Sequence, residues 1–352
     1  MLRTLLSDDR PRSRVLAGLL ILVVLGLALA PFVFPGIRSL NTAATICVFI
    51  VLVASYDLLL GYTGIVSFAH TMFYGIGAYG VAIALHAMPG SWGAVALGTV
   101  CGLALAMGLA LLIGLFALRV QAIFFAMVTL AVASAFLILA SQLSTLTGGE
   151  DGLTYRVPRL LSPAFRMVDG QVLGVRLDGR IVSYYLIFAS ALVLVLAMLR
   201  IVNSPFGRVL QAIRENEFRA EALGYRTAVY RTAATCLAAG AAALAGVLMA
   251  LWLKYTGPDT TLSLSIMIDI LLMVVIGGMG TIYGAVIGAT LFVLAKNYLQ
   301  VLMASAAASV ADVPLLVDLI SPERWLLWLG VLFVLSVYFF PTGIVGRLRE
   351  RA

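Results

Sequence analysis

Long apolar runs recur along the whole chain, and they constrain its fold more than any other feature. A bilayer core about 30 Å thick needs about 20 residues of helix to cross it. Of the 352 residues, 62% are hydrophobic and only 11% are charged, and the mean hydropathy is +1.09. Soluble domains carry about 25% charged residues. The chain is therefore predicted to be an all-α polytopic membrane protein and not a soluble enzyme.

Ten of the runs are long enough to be transmembrane helices. We predict a single transmembrane domain, residues 1–352, with about ten helices and with glycine-interrupted segments. The predicted spans lie near residues 15–34, 40–60, 65–87, 92–118, 120–140, 183–202, 230–253, 262–278, 282–303 and 325–341.

The basic residues indicate an orientation. Ten crossings place both termini on one side, and arginines flank the first and last spans and recur in 203–230. Cytoplasmic loops carry an excess of Lys and Arg, so we predict a cytoplasmic N-terminus (1–14), internal segment (203–230) and C-terminus (342–352). Residues 141–182 then form an external loop, although they contain five arginines. The net charge of +7 is interpreted as orientation signals and lipid contacts, not as nucleic-acid binding.

The internal hydrophilic segment has the pattern of an amphipathic helix. Ser204 and Pro205 are typical of a helix start, and Gly224 is placed to end the helix. Two alternatives are open: a helix lying on lipid headgroups, or a docking helix for a cytoplasmic partner. Mixed charge favours docking, because acidic side chains beside arginines are repelled by anionic lipid but pair across a protein interface. The predicted apolar stripe comprises Phe206, Val209, Leu210, Ile213, Ala220 and Leu223.

Several kinds of chemistry have no residues to support them. The chain has two lysines, Lys254 and Lys296, and neither follows a glycine as the lysine of a phosphate-cradling loop does. His70 and His86 are too few for a metal site or a haem, and the three cysteines fall in apolar runs. We expect no catalytic residue, no metal and no cofactor in this chain.

Few charged residues interrupt the predicted spans. Asp57 lies near the inner end of the second span, and Asp269 and Lys296 lie inside the eighth and ninth. If those two spans form a hairpin, Asp269 and Lys296 reach about the same depth. We predict a structural ion pair in preference to a proton relay, because a relay needs a chain of titrating groups.

Glycines and small polar residues cluster in two parts of the chain, and they have two interpretations. Small residues allow close helix packing in lipid, whereas broken helices expose backbone that lines a substrate path. His70 is interpreted as a helix-to-helix hydrogen bond in preference to a proton carrier. The predicted path residues are Gly61, Thr63, Gly64, Ser67, His70, Gly75 and Gly77 in one half, and Gly277, Gly278, Gly280 and Thr281 in the other.

Four ordered segments resemble the permease subunits of ABC importers for branched-chain amino acids, of the LivM/LivH type. The external loop and the Arg-Glu-Asn-Glu sequence are closer to LivM. Asp57 stands where such permeases usually carry Asn, and Phe68-Ala69 replaces a commoner Leu-Gly. The matching segments are 61–79 (GYTGIVSFAH and YGIGAY), 147–153 (TGGEDGL), 204–224 (SPFGR, AIRENE and EALG) and 277–288 (GGMGT with Gly284 and Gly288).

The resemblance implies a bacterial inner-membrane importer subunit that moves leucine, isoleucine, valine or a related solute. It implies a second permease subunit, two cytoplasmic ATP-binding subunits that hold ATP and Mg²⁺, and a periplasmic binding protein that delivers the substrate. It also implies a helix that couples the chain to the ATPase. The residues implied in coupling are Phe206, Leu210, Ile213, Arg214, Glu215, Glu217, Glu221, Ala222 and Gly224.

Other functions stay open. Within the importer class, the substrate could instead be urea, a short amide or an aromatic acid. From other classes, the chain could be an ion-coupled secondary transporter, or a channel or structural membrane subunit.

Overall fold

The chain is described by a computed structural model, which covers residues 13–34, 36–117, 122–172, 175–309 and 321–350. The part of the N-terminal segment that carries Arg3, Arg10 and Arg12 lies outside the described residues. The helices are α1 Arg14–Val33, α2 Ile37–Thr63, α3 His70–Ala87, α4 Trp92–Ala117, α5 Ala122–Gln142, α6 Ser144–Thr147, α7 Gly179–Asn203, α8 Pro205–Glu215, α9 Glu217–Ala222, α10 Thr227–Leu253, α11 Pro258–Thr261, α12 Leu264–Gly277, α13 Ile282–Ser309, α14 Trp325–Phe339 and α15 Gly343–Glu350. Strand β1 Leu153–Thr154 pairs antiparallel with the distant strand β4 Tyr255–Thr256, and strand β2 Arg166–Val172 pairs antiparallel with the next strand, β3 Val175–Asp178.

Nine helical segments within the described residues are long and apolar enough to cross a membrane, so the chain is a multi-pass all-α membrane protein. The prediction of about ten spans differs at 65–87. There the helix begins only at His70, after the non-helical residues 64–69, and it is less apolar than the other nine segments. The position of α3 in the bundle explains this lower apolarity. Helix α3 is buried along most of its length by other helices, so it needs no lipid-facing apolar surface.

The centre of the bundle is formed by α10, which packs closely against both α2 and α3. Glycine makes this possible: a Cβ built on Gly77 of α3 would lie 1.9 Å from the carbonyl oxygen of Ala243 in α10. One on Gly246 would lie 1.9 Å from the carbonyl oxygen of Tyr74. Since backbones approach this closely only at small residues, the packing interpretation of these glycines fits the structure.

The predicted external loop is ordered where the structure describes its side chains. Strand β1 pairs with β4, and the hydroxyl of Tyr155 lies 2.9 Å from both the Ala250 carbonyl oxygen and Thr256 Oγ1. Desolvation raises the pKa of Tyr155. Partial burial, aided by the charge of Arg180, lowers the pKa of Lys254, which follows α10. These contacts hold the loop on the end of α10 that is remote from residues 205–224.

The internal segment is not the single helix that the sequence predicts. It breaks at Asn216 into α8 and α9, because the Asn216 side-chain oxygen accepts a hydrogen bond from Arg219 N at 2.9 Å and so begins a second helix. The two predicted end signals hold. Ser204 caps α8, with Pro205 in its first turn, and Gly224 follows α9 with a φ of 89°.

Candidate functional site

The two glycine-rich segments of the sequence meet at one end of the bundle. Gly61 lies in the last turn of α2, and Gly280 lies in the turn between α12 and α13. A Cβ built on Gly61 would lie 2.3 Å from Gly280 N and 2.1 Å from Asp57 Oδ1. The two segments therefore pack directly on each other, and no side chain larger than hydrogen fits at residue 61.

A buried carboxylate joins the same two segments. Asp57, on α2, is only 1% exposed, and its Oδ1 accepts a hydrogen bond from Gly280 N at 2.8 Å. The backbone N–H of Thr281 also interacts with this carboxylate, while Oδ2 has no hydrogen-bond partner among the described residues. Because Gly280 has a φ of 79°, glycine is favoured at the position whose N–H is presented to Asp57.

The internal segment reaches this contact through one side chain. The guanidinium of Arg214, on α8, donates a hydrogen bond to the Gly61 carbonyl oxygen and lies beside Gly280. We call Asp57, Gly61, Arg214 and Gly280 the junction.

Helix α15 lies at the same end of the bundle as the junction, since a Cβ on Gly343 would meet Gly278 Cα at 2.2 Å. Residues 205–224 and the C-terminal helix therefore share one end of the bundle.

The other predicted path residues are mostly engaged in packing or in local hydrogen bonds. Thr63 Oγ1 donates to Leu59 O at 2.6 Å, and Thr281 Oγ1 donates to Gly278 O at 2.9 Å. A Cβ on Gly277 would lie 2.0 Å from Gly284 O. Gly64 ends α2 with a φ of 73°, and Ser67 Oγ accepts from Ala69 N at 3.3 Å. Gly75 lines an apolar cavity of about 290 Å³ between α3, α4 and α5.

His70 makes a hydrogen bond between two helices. Its Nε2 lies 2.8 Å from Ser55 Oγ, and Ser55 already donates its hydroxyl hydrogen to Leu52 O at 2.8 Å. A serine hydroxyl has one hydrogen, so when Ser55 donates to Leu52 O, His70 Nε2 is the donor in its contact with Ser55. The ring is fully buried, and Nδ1 has no partner within the described residues. This geometry fits the interpretation of His70 as a contact between α2 and α3.

Asp269 and Lys296 are brought together as an ion pair. Lys296 Nζ, on α13, lies 2.5 Å from Asp269 Oδ2, on α12. The Asp269 side chain is 16% exposed and that of Lys296 is 43% exposed, so the pair lies at the surface of this chain and not in its core.

The predicted coupling residues divide between the two sides of the internal segment. Leu210 and Ile213 are buried against the membrane helices, and the ring of Phe206 stacks on Tyr230 with centroids 5.6 Å apart. In this chain Leu210 and Ile213 therefore seat α8 on its own bundle. Glu217 pairs with Arg231 at 2.6 Å, and Glu221 accepts from Thr227 at 2.8 Å. The residues left on the outer surface are Glu215, Ala222 and Gly224.

Two exposed apolar side chains complete that outer surface. Phe218 is 85% exposed and Leu223 is 72% exposed, although both lie in or beside a helix that packs on the bundle through Ala220. The apolar stripe predicted from the sequence contains Leu223 but not Phe218. The sequence signal that bears on Phe218 is Asn216, which ends α8 and begins α9, so that one continuous helical stripe does not run through both helices. We call Glu215, Phe218, Ala222, Leu223 and Gly224 the outer surface.

Comparison with known proteins identifies the family. The sequence profile described as "Branched-chain amino acid transport system / permease component" matches residues 38–337. The chain belongs to this permease family. Its resemblance to LivM is confirmed, since the permease is 26% identical over 353 aligned positions to "High-affinity branched-chain amino acid transport system permease protein LivM" of Salmonella typhimurium strain LT2. That alignment covers 96% of the permease and 77% of the relative.

Two further relatives agree. The protein of the same name from Escherichia coli strain K12 is also 26% identical, with the same coverage of both chains. The "Probable branched-chain amino acid transport permease protein LivM" of Methanocaldococcus jannaschii is 27% identical over 218 positions, which are 61% of the permease and 58% of that relative. No solved structure matches the permease.

The junction of the permease gives a first prediction. Asp57→Asn keeps a side-chain oxygen that accepts from Gly280 N, so we expect near-normal stability. Asp57→Ala leaves that buried N–H unpaired, at a cost of about 1–3 kcal/mol. The apparent melting temperature of the purified permease should therefore fall for alanine but not for asparagine. An equal fall in both variants would show that the carboxylate charge, and not the hydrogen bond, holds the junction.

The ion pair of the permease gives a second prediction. Asp269→Lys or Lys296→Asp places two like charges together in the spanning segments, and breaking a buried pair costs about 3–5 kcal/mol, with less expected here because Lys296 is partly exposed. Each single variant should lower the yield of folded permease in detergent extracts, and the double swap should restore it. A double swap with a yield no better than the single variants would contradict the pairing.

Proposed function

We propose that this permease is the membrane subunit of an ATP-binding cassette importer for branched-chain amino acids, namely leucine, isoleucine and valine. The names of its relatives support this substrate class. In the proposed arrangement, substrate crosses the membrane through a path in the permease pair, while ATP binding and hydrolysis take place on partner chains. The permease itself is a transport subunit and not an enzyme, and it needs no cofactor of its own.

The observation that carries the proposal is the outer surface of α8 and α9. Phe218 and Leu223 are large apolar side chains held in water at the end of a membrane protein, where their exposure is unfavourable unless a partner covers them. The mixed charge of Glu215 and Arg219, which flank Phe218 in the sequence and are both exposed, suits a protein partner better than anionic lipid. We propose that a cytoplasmic ATPase binds this surface.

The opposite side of the same segment would transmit the movement. Leu210 and Ile213 seat α8 on the bundle, so the helix moves with the helices it touches. Arg214 connects α8 to the Gly61 carbonyl, and through the junction to the turn before α13. A displacement of α8 by the ATPase would therefore act on both glycine-rich segments together. We propose that this opens and closes the inner end of the substrate path.

The proposed orientation follows from this role. The end of the bundle that carries residues 205–224 and the C-terminal helix faces the cytoplasm, and the loop held by Tyr155 faces the periplasm of a bacterial inner membrane. We propose that a second permease subunit, two ATP-binding subunits that hold ATP and Mg²⁺, and a periplasmic binding protein complete the importer.

Uptake measurements in cells test the proposal. Cells that express the permease with its partners should take up labelled leucine, and an uncoupler that collapses the ion gradients should leave uptake intact while ATP is maintained. Unlabelled isoleucine and valine should compete, and urea, short amides and aromatic acids should not. Loss of uptake with the uncoupler at constant ATP would favour an ion-coupled transporter. Competition only by urea, amides or aromatic acids would overturn the substrate class.

A further inference from the structure

The Asp269–Lys296 ion pair lies far from the ends of its helices, where a charged side chain is costly in a membrane. Asp269 is eight residues, about 12 Å of helix, from the Gly277 end of α12, and Lys296 is fourteen residues, about 21 Å, from the Ile282 end of α13. Both helices belong to candidate spans. Lys296 is nevertheless 43% exposed. Charged groups at this depth face protein or water in preference to lipid, so this face of the permease is not a lipid-facing surface.

Hydroxyl groups extend the polar surface toward the external end. Ser265 lies one turn before Asp269, on the same face of α12, and is exposed. Ser263 precedes the helix, and its hydroxyl oxygen lies 2.7 Å from that of Ser265. Asp259, in α11, is also exposed. We call Ser263, Ser265, Asp269 and Lys296 the polar stripe.

At the outer end of the polar stripe, residues 262–263 between α11 and α12 are not helical, and Leu262 is buried in the bundle. Helix α12 has only 14 residues, and Leu262 just before it contacts Gly75, where a Cβ would lie 2.3 Å from Leu262 Cδ2. Gly75 is twelve residues, about 18 Å of helix, from the Ala87 end of α3. Non-helical backbone at such depth is tolerated where it is buried in protein or lines a water-filled cavity.

We infer that the polar stripe forms one wall of the substrate path and that the Asp269–Lys296 pair is the place where a zwitterionic amino acid is held during transit. The inference rests on the proposed function and deepens it. The match is chemical: a substrate ammonium pairs with Asp269 and a substrate carboxylate pairs with Lys296. When the Asp269–Lys296 pair opens, each of the two side chains pairs with the opposite charge of the substrate, so no charge is left unpaired in the membrane. Because the stripe is exposed on this chain, the second permease subunit supplies the opposite wall.

Thiol labelling tests whether water reaches the stripe. Cys47, Cys101 and Cys236 are first replaced by alanine, and Ser265→Cys is introduced into the full importer, with Ser263→Cys as a second variant. The control is Val100→Cys, which is 64% exposed on α4 but lies among apolar residues. A charged methanethiosulfonate reagent reacts with thiolates, which form in water and not in lipid. We expect Ser265→Cys to react at least about tenfold faster than Val100→Cys.

Substrate protection tests the zwitterion assignment in the same membranes. Leucine-loaded binding protein with ATP should slow the labelling of Ser265→Cys several-fold and leave Val100→Cys unchanged. Labelling of Ser265→Cys and Ser263→Cys no faster than the control would overturn the path, and rapid labelling that turnover with leucine does not slow would overturn amino-acid binding there. ATP-dependent leucine uptake is measured on the same preparation. If uptake depends on ATP while the stripe is unreactive, the inference fails and the proposed function stands; if uptake is independent of ATP, the proposed function fails.

Discussion

Replacing Phe218 with aspartate is expected to lower ATP-dependent leucine uptake by about 100-fold without unfolding the permease. Aromatic side chains at the centre of an interface contribute about 2–4 kcal/mol to binding, and 1.4 kcal/mol changes an affinity tenfold. Phe218 is 85% exposed, so the substitution removes little packing inside the chain. The measurements are uptake in cells and the amount of ATPase that copurifies with the permease.

Two variants control this experiment. Phe218→Leu keeps an apolar side chain and should retain most of the uptake and most of the bound ATPase. Leu223→Asp, on the same outer surface, should behave like Phe218→Asp. If Phe218→Asp copurified with a normal amount of ATPase, the outer surface would not be the ATPase site, and the proposed route from α9 to the junction would fail.

Adding a methyl group at Gly61 is expected to have the second large effect. The new Cβ would lie 2.1 Å from Asp57 Oδ1 and 2.3 Å from Gly280 N, and both are less than the closest contact of real Cβ atoms. Helix α2 and the turn before α13 must then separate, which costs about 1–3 kcal/mol in strain and loses the hydrogen bonds of Asp57 and Arg214. We expect Gly61→Ala to lower the apparent melting temperature by at least about 5 °C and to abolish uptake.

Gly108→Ala is the matched control for Gly61→Ala. Gly108 is also a glycine within a spanning helix, but no atom lies within 4 Å of the Cβ position. Alanine favours helix over glycine by about 1 kcal/mol, so this variant should be at least as stable as the natural permease and should transport normally. Equal losses in both variants would show that the junction has no special role in holding the glycine-rich segments together.

The membrane class, most span positions and the ends of the internal segment could be predicted from the sequence, because they depend on local patterns. Span-length apolar runs, Ser204-Pro205 and Gly224 each act within a few residues of where they occur. The proximity of Asp269 and Lys296 was predictable too, because one tight turn connects their helices. The start of α3 could not be predicted in this way, because the apolar run begins near residue 65 whereas the helix begins at His70, after the non-helical residues 64–69.

The arrangement of the candidate site could not be read in the same way. Arg214 and Gly61 are 153 residues apart in the sequence, and Asp57 and Gly280 are 223 residues apart. No local sequence pattern therefore predicts either contact. The apolar stripe of 204–224 was recognised, but an amphipathic pattern does not say whether its apolar side faces a partner or its own bundle. The helix break at Asn216 separates α8, whose apolar side packs on the bundle, from the following residues, of which Phe218 and Leu223 are exposed. The partners of the glycines depend on tertiary packing in the same way.

Transport by the purified importer in sealed vesicles tests the central claim most directly. The permease is reconstituted with its partner permease and ATPases, leucine-loaded binding protein is placed on one side of the membrane, and ATP is placed on the other, with no ion gradient. The account predicts leucine accumulation that requires ATP hydrolysis and is lost in Phe218→Asp vesicles. Accumulation that proceeds without ATP when an ion gradient is imposed, and that Phe218→Asp leaves unchanged, would contradict it.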